Sequence, residues 1–124
     1  MVEFPAFEVL LLEDEPADAH LVRVALREGR IHSRLHHVQD GKEGMQFLER
    51  TGPYADAPRP DLIMLDLNLP RKDGREVLAE IKTDKDLKTI PIVVLTTSRA
   101  EEDIVRSYKL HANCFISKPV GIEQ

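Results

Sequence analysis

Acidic, hydroxyl and basic side chains stand at the ends of short apolar runs in this sequence. Glu13-Asp14-Glu15 follows Glu8–Leu12, Asp66 follows Asp61–Leu65, Thr96-Thr97 follows Pro91–Leu95, and Lys118-Pro119 follows Asn113–Ser117. If these runs are strands of one doubly wound sheet, their carboxyl ends meet at the crevice where such sheets bind ligands. Carboxylates crowded together there repel one another unless something neutralises them. A hard divalent cation does so, and Mg²⁺ prefers a few carboxylate or carbonyl oxygens with waters and a phosphate oxygen. A lysine and a hydroxyl on neighbouring strands complete a site for a tetrahedral dianion. Carboxylate nucleophile, metal, cation and hydroxyl are the parts that phosphoryl transfer onto an aspartate requires.

Taken singly, each residue has a plainer role. An acid after a strand often caps the next helix, and Glu15 before Pro16 is placed to do so. Thr96 is a β-favouring residue. A lone Lys-Pro means little. The coincidence at four strand ends is what argues for chemistry.

The elements that must position these groups are legible from periodicity. The apolar runs are short and rich in Leu, Ile and Val, as in strands buried on both faces of a parallel sheet. Between them, apolar residues recur at helical spacing: Leu21, Val24 and Ala25; Val77, Leu78 and Ile81; Ile104 and Tyr108; and, most weakly, Met45 and Leu48. Gly29 stands where the first helix should end. Asp73 with Glu76, and Ser98 with Glu101, have capping-box spacing. The pattern is β-α-β-α-β-α-β-α-β, one α/β domain with five parallel strands. A long proline-stiffened connection, "GPYADAPRP", precedes the third strand.

Composition narrows the classes. The chain has 124 residues, a net charge of -5 and one cysteine, Cys114. Its length suits a single domain, and its acidity argues against a nucleic-acid clamp or an anionic membrane surface. No apolar run approaches the roughly 18 residues of a membrane span, and a lone cysteine agrees with a reducing, cytoplasmic setting. Cys114 reads as a buried, inert thiol, and Tyr54 and Tyr108 as packing residues. His36 and His37 are adjacent on a strand and face opposite ways, which is poor chelating geometry. His20, His32 and His111 show no ligand spacing, and Arg71-Lys72 reads as a solvated loop beside Asp66.

From about Val9 to Val120 the sequence resembles the receiver domain of two-component response regulators. "LLLEDEPADAHLVRVAL" is similar to the acidic opening, "PDLIMLDLNLPRKDG" to the phosphoacceptor strand and loop, "IPIVVLTTSRAEED" to the switch-hydroxyl region and "ANCFISKPV" to the lysine strand. The resemblance implies a flavodoxin-like fold with strand order 2-1-3-4-5. It implies Asp66 as the phosphorylated residue, Asp14 as a direct Mg²⁺ ligand, Glu13 in the acidic pocket through water, and the Asn68 carbonyl as a third protein ligand. It further implies Lys118 paired with the phosphoryl group, a cis Lys118–Pro119 bond, Thr96 as switch hydroxyl and Phe115 as switch aromatic. Within the family, "GPYADAPRP", "LNLPRKDG" and "LTTSRAEEDI" look most like the stand-alone regulators of phytochrome kinases. That implies a phytochrome-type sensor histidine kinase as partner, with a downstream phosphotransfer protein and a homodimer as further expectations.

Two other classes compete. An aspartate-nucleophile, Mg²⁺-dependent phosphatase needs a second acid two residues after the nucleophile, and here that residue is Asn68, which argues against a turnover enzyme. A dimerisation module that signals without phosphorylation would not need the full acidic set. A receiver also has five helices, whereas this chain ends at Gly121-Ile122-Glu123-Gln124, where the fifth should begin. The fifth helix is therefore expected to be missing, by truncation or by replacement from a partner, from the surface where such regulators dimerise.

Overall fold

The computed structural model describes residues 5–96 and 114–118, without the side chains of 96 and 114–117. Five strands form one sheet: β1 (Phe7–Leu12), β2 (Ser33–Val38), β3 (Leu62–Asp66), β4 (Ile92–Thr96) and β5 (Cys114–Ser117). Their order is 2-1-3-4-5, and all four pairings are parallel. Three α-helices lie among the described residues, α1 (Pro16–Glu28), α2 (Gly41–Glu49) and α3 (Gly74–Thr83). The expected helix around Ile104 and Tyr108, with its Ser98–Glu101 cap, lies outside the described residues. So do His111, the Lys118–Pro119 bond and the chain end.

Alternation along the strands sorts the core into two layers. Leu10, Leu12, Ile63, Leu65, Ile92 and Val94 face α2 and α3, where Met45, Phe47, Leu48, Val77, Leu78 and Ile81 meet them. Val9, Leu11, Met64 and Leu95 face the opposite way, onto Ala19 and Val22 of α1. Burial on both sides of β1 and β3 explains their unbroken apolar runs, and each fully buried aliphatic side chain contributes about 1.5–3 kcal/mol. By contrast β2, at the edge of the sheet, is at most half-buried apart from Val38. The weakest sequence pattern is a well-made helix. Asp40 caps α2 through the Glu43 N–H at 2.7 Å, and Glu43 reaches back to the Gln39 N–H at 3.0 Å.

The other caps follow the residue types, with two changes of detail. Glu15 caps α1 through the Ala17 N–H at 3.2 Å, with Pro16 in the first turn. Asp73 caps α3, but the N–H it accepts from is that of Arg75, at 2.7 Å, one residue short of the capping-box position. Gly29 ends α1 with an ordinary negative φ of -73°, and the left-handed residue is Arg30, at φ 58°. The proline-rich connection is not loose. Gly52–Tyr54 forms a 3₁₀ turn, Tyr54 packs on Phe47 at 5.4 Å, and Arg59 donates to the Asp86 carbonyl at 2.8 Å.

Candidate functional site

The end of β1 is built by its neighbours. Leu12 is buried beneath α2, which carries the chain into Glu13 with no exposure at all. The Glu13 carbonyl accepts a hydrogen bond from His37 Nε2 at 2.6 Å, and its carboxylate accepts from the Glu15 N–H at 3.1 Å. Asp14 turns outward and is exposed. Asp66 ends β3, is 2% exposed, and accepts the Asn68 N–H on Oδ1 at 3.0 Å. Lys118 follows β5 and reaches back across the crevice to Asp66 Oδ2 at 3.3 Å.

Three sequence-derived acids converge. One carboxylate oxygen from each of Glu13, Asp14 and Asp66 lies within 4.8 Å of the others. Lys118 hydrogen-bonds Glu13 Oε2 at 3.3 Å and stands 3.1 Å from Oε1. Yet Glu13 Oε1, although buried, has no hydrogen-bond partner among the described residues. The Lys118 charge 3.1 Å away offsets that of this oxygen, and a cation or its bound water would supply the missing hydrogen-bond or ligand contact that a buried carboxylate oxygen needs. The donors are all hard oxygens, as Mg²⁺ or Mn²⁺ requires. The residues present therefore fit a divalent ion held by Glu13, Asp14 and Asp66.

Charge shapes the site further. Burial raises the Glu13 carboxyl most and the Asp66 charge adds to it, while the Glu15 N–H and Lys118 pull it down, so it is pushed up to about 7. Burial lowers the Lys118 ammonium, but the hydrogen bond to Asp18 and the charges of Asp66 and Glu13 outweigh that, and its pKa is raised. Lys118 is thus a fixed positive charge among acids.

Thr96 ends β4 and pairs in register with Ser117, and Phe115 pairs with Val94. This puts the Thr96 backbone at the crevice end of β4 and that of Phe115 two residues back from the crevice end of β5, while their side chains, and so the switch expected of them, lie outside the described residues. Arg71 is exposed, as a solvated loop residue would be, while Lys72 is half-buried. Arg71 reaches Asp40 at 3.4 Å, and Lys72 pairs with Glu80. One residue escaped the sequence reading: Asp18, whose Oδ2 lies 2.9 Å from Lys118 Nζ. Its place four residues after Asp14, on the first turn of α1, was the available signal.

Residues 9–124 match the model of the response regulator receiver domain. The chain belongs to that family. It is 54% identical to the response regulator Rcp1 of Synechocystis sp. over 92% of this chain and 78% of that protein. The crystal structure of the phosphorylated cyanobacterial phytochrome response regulator RcpA superposes with a TM-score of 0.84, at 52% identity, covering 94% of this chain and 84% of the other. The Mn²⁺-bound form of Rcp1 gives a TM-score of 0.82 at 54% identity, covering 90% and 80%. The receiver is accordingly a signalling module rather than a turnover enzyme, with relatives among phytochrome response regulators, one of them solved with a divalent metal.

Proposed function

We propose that this receiver accepts a phosphoryl group on Asp66 from a phytochrome-type sensor histidine kinase and signals through protein contacts. The observation that carries the reading is the convergence of Glu13, Asp14 and Asp66 on one crevice, with Lys118 on Asp66. Asp14 would ligate Mg²⁺ directly, Glu13 through water and Asn68 through its carbonyl. When bound, the ion supplies positive charge that offsets the phosphoryl oxygens.

Asp66 attacks phosphorus from the strand end. The P–N bond of the donor phosphohistidine breaks, its electron pair goes to the imidazole, which takes up a proton as it leaves, and an aspartyl phosphate remains. The Asn68 N–H holds one carboxylate oxygen of Asp66 in place during attack, and Lys118 offsets charge on the transferring group. The product is a mixed anhydride that water can cleave, so the signal decays. Thr96 then donates to a phosphoryl oxygen and Phe115 fills the space it leaves, which alters the surface of β4 and β5. Without a hydroxyl, Phe115 chooses between its positions by packing alone. A cytoplasmic setting, homodimerisation and onward transfer to a phosphotransfer protein belong to the same reading.

Phosphotransfer from phytochrome-type and unrelated kinases to the wild type and to Asp66→Asn tests it. The wild type should be labelled by the phytochrome-type kinase and by acetyl phosphate, and Asp66→Asn, with an unchanged circular-dichroism spectrum, by neither. Label on the Asp66→Asn protein would defeat the assignment.

A further inference from the structure

The carboxylate nearest the Lys118 ammonium is neither Asp66 nor Glu13. Asp18, the third residue of α1, places Oδ2 2.9 Å from Nζ, against 3.1 Å for Glu13 Oε1 and 3.3 Å for Asp66 Oδ2. Charge-assisted N–H···O bonds are tight at about 2.7–2.9 Å. The contact with Asp18 is therefore close and the one with Asp66 is stretched. The pair is well sheltered, with the Lys118 side chain 10% exposed and that of Asp18 20%. Asp18 stands outside the acidic trio. It is fixed on the first turn of a 13-residue helix capped by Glu15, where the helix dipole also favours a negative charge.

An ammonium has three protons, and here three carboxylates on three separate elements draw on them. Without the charge on α1, the ammonium is left with Glu13 and Asp66 alone. It then closes on Asp66 and occupies lone pairs that must attack phosphorus. We infer that Asp18 is a positioning residue for Lys118, drawing the ammonium toward α1 so that it does not mask the Asp66 carboxylate before phosphoryl transfer. This rests on Asp66 as phosphoacceptor and adds a residue that never touches the reacting atoms.

Initial rates of acetyl-phosphate labelling in Mg²⁺ test the inference with Asp18→Asn, Asp18→Glu, Lys118→Met and the Asp18→Asn/Lys118→Met double variant. Asp18→Asn should label on the order of tenfold more slowly than the wild type. Asp18→Glu should regain most of the rate, and Asp18→Asn should add nothing once Lys118 is replaced. A wild-type rate in Asp18→Asn, or the same loss in both backgrounds, overturns the inference. Metal-free urea unfolding of the wild type, Asp18→Asn, Lys118→Met and the double variant gives a second readout that needs no phosphodonor. Non-additive midpoint shifts are expected from a real ion pair, and additive shifts overturn it even if labelling is too slow to follow. A wild type that takes no label defeats the phosphoacceptor reading itself, and the positioning role with it, whereas a labelled wild type with additive variants defeats the positioning role alone.

Discussion

Glu13 concentrates the electrostatics of the site in one side chain. Its carboxyl is raised from 4.5 to about 7, chiefly by burial. A folded value above the unfolded one means that the proton favours the fold. That contribution is complete below pH 4.5 and is lost as the pH rises to about 7. The metal-free wild type should therefore lose more stability than Glu13→Gln between pH 5 and 7.5, measured as the urea midpoint. Parallel profiles for the two proteins would refute the assignment. Metal binding has the opposite sign, because a ligand carboxylate must be ionised. Below pH 7, Mg²⁺ should bind more weakly and release a proton, which calorimetry in buffers of different ionisation enthalpy would detect.

At the scale of elements, two glycines of α2 set how closely the helix sits on the site. A Cβ on Gly41 would lie 2.1 Å from the Lys72 carbonyl oxygen, so the start of α2 rests against the loop that follows Asp66. A Cβ on Gly44 would meet the Leu12 Cδ2 at 2.2 Å, a side-chain end that can rotate away. Gly41→Ala should therefore cost more than Gly44→Ala, about 1–3 kcal/mol by thermal or urea unfolding. It should also slow labelling of Asp66, which Gly44→Ala should not. Equal losses of stability would show that the loop yields as readily as a leucine. Strand positions and the first and third helices were legible because burial on two faces leaves apolar runs and caps leave Glu15-Pro16 and Asp73. The start of α2 was harder to read, since its two glycines hide the apolar stripe and its closeness to the loop is a tertiary fact. Asp18 was missed for a related reason: its spacing from Asp14 was visible, but only the fold brings residue 18 to residue 118. The three acids were legible because the end of a strand predicts where its next residue points.

The molecule as a whole carries a net charge of -5, and close-set opposite charges are gathered at one crevice. Among the described residues, no helix is long and apolar enough to cross a membrane. A ligand that binds only the folded state raises stability by mass action, about 2.7 kcal/mol at a hundredfold excess over its Kd. Saturating Mg²⁺ should thus raise the melting temperature of the wild type by several degrees, and Asp14→Ala should lose most of that gain. An equal gain in Asp14→Ala would remove Asp14 from the ligand set. The bond from His37 Nε2 to the Glu13 carbonyl, 2.6 Å long, bears on this in another way. A carbonyl can only accept, so the ring must carry hydrogen on Nε2. His36 bonds the Glu8 carboxylate at 2.7 Å on the opposite face. The outermost strand thus splints the acidic turn from one face through His37, while its other face ties down Glu8 at the start of β1 through His36.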